Sequence, residues 1–391
     1  MFEPIALTAP QQEALQQLEA TLASTDEAVL VGPAGSGKTT VLRELLDLYD
    51  DRPLCMLAPT GKAARRMMEV TGFSARTIHS ALYNGCEENQ DKKGHTKLKF
   101  YDPKPPCKPG SLVIVDEASM VNQDLYKTLK AQVLSVGGSL LWVGDKEQLP
   151  PLDGVWGPNF DSPTAELTEI HRQAEGSPII KLATLIRNNR GQEFTDWGDT
   201  VGYSSGSIEQ AAKWVIEGGD RVCLTWTNKV RQAINRCVRN FMGYTSLLQS
   251  GETVLVLKNN WFIDVVNGDV LKLARVTNYR APRSPPLLKL TTTSGQVFYA
   301  LRDCIGVANY QTFRQQVARI RVKEVRDAVV HIDYGYCLTV HKSQGSQWRD
   351  VCLVECESLR YTNKDLDGKR RLLYTGVTRA QQRLLIHSLD S

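Results

Sequence analysis

Gly32-Pro33-Ala34-Gly35-Ser36-Gly37-Lys38-Thr39, with Thr40 directly after it, is the stretch that decides how this chain folds. It fits G-x-x-x-x-G-K-[ST], a loop whose glycines let backbone N–H groups turn inward around a phosphate. The helix start that follows adds partial positive charge. The flanks agree: the apolar run 28–31 reads as a strand, and residues 39–49 read as a helix. In such a loop Lys38 neutralises β- and γ-phosphate oxygens and the Thr39 hydroxyl ligates Mg²⁺. The ligand class is therefore a nucleoside triphosphate, cradled by residues 32–40.

A second piece of the same chemistry lies at Val113-Ile114-Val115-Asp116-Glu117. An acidic residue at the end of a buried strand is placed to hold Mg²⁺, a role that falls to Asp116. Glu117, next to it, can polarise an attacking water as a general base, so hydrolysis is the natural reaction. Further strands read at 54–57 and 140–143, with a helix at 61–69. This alternation predicts an α/β domain with a parallel sheet over residues 1–160. Within it, 83–110 is Lys-rich, holds Pro103, Pro105, Pro106 and Pro109, and is too long for an ordinary loop.

A second α/β region is expected over 161–250, with a strand at 222–225 and a helix through 231–241. From 251 to 333 short β-type runs and the turn signals Asn267-Gly268-Asp269 and Ser294-Gly295 predict a small barrel-like insertion. Tyr310, Phe313, Val317 and Ile320 recur at helical spacing inside it. The α/β pattern resumes over 334–391, with strands at 351–354 and 384–386.

Composition narrows the class. At 391 residues, two or three domains are expected. With 42% hydrophobic and 23% charged residues, a wholly disordered or fibrous chain is excluded. The longest apolar runs are strand-sized, so no segment is expected to span a bilayer. Met1-Phe2-Glu3-Pro4 shows no basic region ahead of an apolar stretch, which predicts a cytoplasmic protein. The nine cysteines include no Cys-x-x-Cys pair, so reduced thiols are expected rather than a zinc site. A formal charge of +4 permits a polyanionic partner without demanding one.

Asp116-Glu117-Ala118-Ser119-Met120 resembles the Walker B motif of superfamily-1 helicases, in the RecD-like branch that moves 5′→3′. The family's other motifs follow in order. Leu7-Thr8-x-x-Gln11-x-x-Ala14 resembles the Q motif, Ala58-Pro59-Thr60-Gly61-Lys62-Ala63-Ala64 motif Ia, and Thr77-Ile78-His79 motif Ib. Gly144-Asp145-x-x-Gln148-Leu149-Pro150-Pro151 resembles motif III, and Leu167-Thr168-x-x-x-Arg172-Gln173 motif IV. Thr339-Val340-His341-Lys342-Ser343-Gln344-Gly345 resembles motif V, and Tyr374-Thr375-Gly376-Val377-Thr378-Arg379-Ala380 motif VI. The resemblance spans residues 7–387, and the compact size is most similar to the small phage helicases of the Dda type.

The resemblance implies two RecA-like P-loop lobes with parallel sheets, a β-hairpin pin at 83–110 and an SH3-like β-barrel at 251–333. It implies ATP and Mg²⁺ as cofactors, single-stranded and forked duplex DNA as partners, and a monomer in the cytoplasm, that of the host if the chain is phage-encoded. Single-strand-binding or replisome proteins are implied as further partners. In the ATP site, Gln148 senses the γ-phosphate or positions water, and Arg172 and Arg379 act as arginine fingers from the second lobe. Gln11 contacts the adenine edge, although Thr8-x-x-Gln11 is also a capping box. Gly345 and Gln347 contribute to the nucleotide site; many relatives carry Glu at the latter position, and a neutral amide there can still bond a ribose hydroxyl.

For the strand, Thr60 caps a helix whose end binds a phosphate beside Pro59, with Lys62 adding charge. His79 in the first lobe and Thr225, Asn228, His341 and Lys342 in the second are further candidates. Lys97-Leu98-Lys99-Phe100-Tyr101 is basic with interleaved aromatics, which suits Phe100 or Tyr101 to stack on the first unpaired base. Arg383 is expected in a salt bridge. A translocase that displaces bound proteins and an RNA helicase of the related Upf-like branch remain the alternatives.

Overall fold

The computed structural model describes residues 7–49, 51–90, 96–151, 155–169, 176–218, 220–260, 262–306, 310–355 and 366–389, with backbone alone over 85–90 and 96–101. Two compact units emerge. One holds residues 1–194 and 367–378, the other 195–366 and 379–391.

The first unit contains α1 (Ala9–Ser24), β1 (Glu27–Val31), α2 (Lys38–Leu48), β2 (Leu54–Ala58), α3 (Gly61–Thr71), β3 (Ala75–Thr77) and α4 (Ile78–Leu82). It continues with β4 (Tyr83–Gln90), β5 (Thr96–Pro103), β6 (Leu112–Val115), α5 (Gln123–Leu134), β7 (Ser139–Gly144), β8 (Ala165–Glu166) and α6 (Pro178–Arg187). Its six-stranded sheet runs β3-β2-β6-β7-β1-β8, every pair parallel. All four residues of β6 and all six of β7 are buried, as a sheet covered on both faces requires. Helix α1 opens on a capping box at Thr8 and Gln11 and lays Ala14, Leu18 and Leu22 against the core at four-residue spacing.

One expectation changes here, and one is met. Residues 165–166 pair with Leu30 and Val31, so the first sheet gains an edge strand from a stretch that patterning alone had given to the second lobe. A two-residue strand is too short to register as a periodic pattern. Over 83–110 the polar, Pro-rich segment contains an antiparallel hairpin, β4 against β5, in register from Tyr83↔Pro103 to Gln90↔Thr96.

The second unit contains β9 (Val201–Gly206), α7 (Ile208–Ile216), β10 (Arg221–Thr225), α8 (Asn228–Phe241), β11 (Thr253–Val256), β12 (Val270–Tyr279), β13 (Leu287–Thr292) and β14 (Val297–Leu301). Then follow α9 (Tyr310–Ala318), α10 (Lys323–Asp327), β15 (Ile332–Tyr334), β16 (Cys337–Thr339), α11 (Val340–Ser343), β17 (Trp348–Glu355) and β18 (Ala380–Leu389). Its parallel sheet runs β16-β10-β17-β18-β9. The insertion forms an antiparallel sheet, β14-β13-β12-β11-β15, around Val254, Leu290, Phe298 and Ile332. Helix α12 (Leu366–Val377) interrupts this unit in sequence, yet residues 367–378 pack with the first unit. No helix among the described residues is long and apolar enough to cross a membrane.

Candidate nucleotide site and strand-binding residues

In the first sheet β6, β7 and β1 are neighbours, so their carboxyl ends bring three segments together. Ligands of open parallel sheets bind at such ends. From β1 the chain enters the loop 32–37. Gly35 and Gly37 both sit at φ +83°, in the left-handed region that favours glycine. A Cβ at Gly32 would lie 2.5 Å from Ser36 Oγ and 3.1 Å from Leu167 O, so a side chain there would displace the Ser36 hydroxyl and crowd Leu167. Lys38 opens α2, and its Nζ donates to the carbonyls of Gly32 at 2.6 Å and Pro33 at 3.0 Å. The buried Ser36 hydroxyl donates to Pro33 O at 2.9 Å. Thr39 is exposed and Thr40 half-buried on the first turn of α2. Gln11 is buried: its Oε1 accepts the Thr8 N–H at 3.1 Å and its Nε2 donates to Ser36 O at 3.4 Å. The capping box is therefore formed, and the same side chain braces the phosphate loop.

From β6 come Asp116 and Glu117. Asp116 Oδ1 accepts the Glu117 N–H at 2.8 Å. Burial first, and the Glu117 charge second, push the Asp116 carboxyl up to about 6, while the Glu117 N–H and then Lys38 draw it down. Glu117 holds φ +53°, a left-handed conformation that a non-glycine residue adopts at a cost of ~1–3 kcal/mol. Crowded carboxylates of this kind suit a divalent cation, whose charge relieves both desolvation and mutual repulsion.

From β7 come Asp145 and Gln148. Gln148 is buried, its N–H donates to Asp145 O at 3.2 Å, and its side-chain Oε1 has no hydrogen-bond partner. An orphaned buried acceptor costs ~1–3 kcal/mol and fits a group that awaits a ligand or water. Beside these loops lies a cavity of about 190 Å³ lined by Gly32, Pro33, Asp145, Glu147, Thr168 and Arg187. The residues present thus fit a Mg²⁺-nucleotide: a phosphate loop, a cation-seeking carboxylate and an unsatisfied amide. Arg172 lies outside the described residues. The described elements on either side, β8 and α6, belong to the first unit.

Still in the first unit, Thr60 caps α3, its Oγ1 accepting the Ala63 N–H at 3.2 Å, with Pro59 and Lys62 half-buried beside it. His79 on α4 stacks against Tyr83 with ring centroids 6.0 Å apart, and burial lowers its pKa. Phe100 and Tyr101 lie on β5, opposite Cys86 and Gly85 in backbone register.

In the second unit, Thr225 is fully buried and its hydroxyl donates to Val354 O at 3.4 Å, which takes it off the surface. The accessible groups at this strand end are Thr227, which caps α8 through the Val230 N–H, and the exposed Asn228. Asn228 Oδ1 accepts from Arg231 Nε at 3.2 Å, and Arg231 forms a buried 2.7 Å ion pair with Asp333 of the insertion. Lys342 is half-buried near this pair. Burial and then Arg231 lower its pKa, with Asp333 opposing. His341 is exposed on α11, yet desolvation lowers its pKa. Gly345 takes φ +72°, and Gln347 Oε1 accepts from Gln381 Nε2 at 3.2 Å. Arg379 is buried, with Nη1 donating to Ser346 O at 3.2 Å. Arg383 pairs with Asp350, as its spacing from Arg379 had suggested.

Sequence reasoning missed the Arg231–Asp333 pair and the part played by Tyr374. The Tyr374 hydroxyl accepts the Ala34 N–H at 3.1 Å and donates to Asp145 Oδ2 at 2.7 Å. Nothing local in the letters marks either contact, since each joins segments over 100 residues apart.

A parallel-sheet lobe with a phosphate loop, an Asp-Glu strand end and a buried glutamine defines a P-loop NTPase. Comparison with known proteins narrows this. The chain matches the AAA domain family over residues 6–205 and the UvrD-like helicase C-terminal domain over 334–387. It is 30% identical over 379 residues to the ATP-dependent RecD2 DNA helicase of Deinococcus radiodurans, an alignment that covers 91% of this chain and 46% of that protein. A probable conjugal transfer protein TraA of Sinorhizobium fredii is 23% identical, over 92% of this chain and 31% of its own length. The chain thus spans less than half the length of these relatives. Among solved structures, Pif1 helicase from Bacteroides in complex with ADP-AlF3 and single-stranded DNA has TM-score 0.56 at 18% identity, over 98% of this chain and 92% of that one. The chain belongs to the AAA domain family, and over nearly its whole length it is similar to a RecD2 DNA helicase.

Proposed function

We propose that this chain is an ATP-dependent DNA helicase that moves 5′→3′ along single-stranded DNA and separates duplex ahead of it. The observation that carries the proposal is the convergence of Lys38, Asp116, Glu117 and the unpartnered Gln148 Oε1 on three adjacent strand ends. The name of the Deinococcus relative, an ATP-dependent DNA helicase, supports it.

On this reading the Lys38 ammonium leaves the Gly32 and Pro33 carbonyls for β- and γ-phosphate oxygens. Thr39 and ionised Asp116 hold the cation, which supplies Lewis-acid charge at the phosphate oxygens. Glu117 takes the proton of the attacking water while Gln148 orients it. Arg172 and Arg379 stabilise charge on the departing phosphoryl group, and Gln11, Gly345 and Gln347 hold base and sugar. Binding of the triphosphate closes the two lobes and hydrolysis releases them, so the strand is gripped alternately. Pro59, Thr60, Lys62, His79, Asn228, His341 and Lys342 grip it, the β4–β5 hairpin acts as the pin, and the insertion serves as an SH3-like cover. Each base-pair step opposes with only ~1.4 kcal/mol of stacking, so coupling geometry rather than energy limits unwinding.

Forked duplexes with a 5′ or a 3′ single-stranded tail, in DNA and in RNA, test the reading. ATP-dependent opening of the 5′-tailed DNA is expected. Opening of the 3′-tailed substrate alone would reverse the polarity, preference for RNA would move the protein to the Upf-like alternative, and displacement of a bound protein without strand separation would make it a translocase.

A further inference from the structure

Helix α12 packs against the first unit, but the chain reaches it from the second unit and returns there at Arg379. Residues 370, 371, 374 and 375 share one face of it. Each of the four meets the loop 145–149. Arg370 pairs with Glu147, and Arg371 donates to the Lys146 carbonyl. Tyr374 donates to Asp145 Oδ2 at 2.7 Å, and Thr375 Oγ1 accepts the Leu149 N–H at 3.1 Å. That loop carries Gln148.

The Tyr374 hydroxyl has a second bond, accepting the Ala34 N–H of the phosphate loop at 3.1 Å. Tyr374 is 1% exposed and Asp145 2%. One buried oxygen therefore joins the phosphate loop, the Gln148 loop and a helix that ends two residues before Arg379. Phenylalanine would fill the same core volume. The hydroxyl adds directed bonds, which fix the separation of two loops that must act on one phosphate.

We propose that Tyr374 is a positioning residue for hydrolysis: its hydroxyl sets the register of the phosphate loop against the Gln148 loop. The proposal rests on the motor reading above. It differs from a stability contact in what it disturbs. Loss of register harms the transition state more than ground-state binding, so it lowers kcat with little change in KM.

The test compares the parent with Tyr374→Phe, Asp145→Asn and the double variant, reading ATP turnover with and without oligo-dT, together with the melting midpoint. Tyr374→Phe is expected to lower kcat about tenfold with KM for ATP within about twofold. Because Tyr374→Phe already removes the bond to Asp145, the double variant should turn over no more than about twofold slower than Tyr374→Phe alone. Turnover of Tyr374→Phe near the parent value would overturn the proposal. So would a matched change in kcat and KM, or independent multiplication of the two losses. If Tyr374→Phe does not fold, Thr375→Val, which removes another α12 bond to the Gln148 loop, decides: a kcat-selective loss supports the positioning role, and unchanged turnover overturns it. A parent without strand stimulation counts against the motor reading, while the comparison of variants still stands on basal turnover.

Discussion

Asp116 ends a fully buried strand with Glu117 beside it, and burial together with that neighbour pushes its carboxyl up to about 6. The sign of the consequence follows from linkage. An acid whose folded pKa lies above its unfolded value of ~3.9 favours the folded state at low pH, and this advantage is lost as pH rises through the folded value. Above pH 6, therefore, the ionised carboxylate weighs against the metal-free fold until a cation joins it. Asp116→Asn should raise the stability of the metal-free protein at neutral pH by roughly 1–2 kcal/mol, allowing for partial solvent screening, and abolish ATP turnover. Melting in EDTA across pH 4–8 checks this. The gain should fade below about pH 6, and a gain of equal size at every pH would contradict it. Much of this site was legible from the letters, because the phosphate loop and the Asp-Glu strand end are local motifs with local geometry. The bracing of Ser36 by Gln11 and the burial of Thr225 were not, since both depend on what packs around the side chain.

At the scale of elements, the hairpin and α12 show where pattern reading stops. The composition of 83–110 named a functional or disordered loop, and only the family resemblance predicted two paired strands. Lys97-Leu98-Lys99-Phe100 alternates as a strand would, but residues 84–90 carry no such alternation, so nothing local marks them as the partner strand. If the hairpin acts as the pin, Phe100→Ala should lower duplex unwinding severalfold while strand-stimulated ATP turnover stays within about twofold of the parent, as loss of one stacking contact implies. Unwinding and ATPase assays on the same preparation decide, and equal loss of both would remove the wedge role. Helix α12 was read as part of the second lobe because its sequence neighbours, β17 and β18, are. Its bonds to 145–149 place it with the first unit. Contacts between segments some 225 residues apart leave no trace in local periodicity.

At the scale of the molecule, both parallel sheets and the antiparallel insertion were readable, because buried parallel strands are short continuous apolar runs and insertion strands carry turn signals between them. The edge strand β8 was not, for a two-residue strand has no period. On the proposed reading the chain is a motor, and a motor's ATPase must respond to its track. The most direct test measures steady-state ATP turnover with and without single-stranded DNA, for the parent and for Lys38→Ala. The parent should be stimulated at least about tenfold, and the variant should show no turnover while keeping salt-sensitive strand binding. Parent turnover indifferent to DNA, or sustained turnover in Lys38→Ala, would contradict the account.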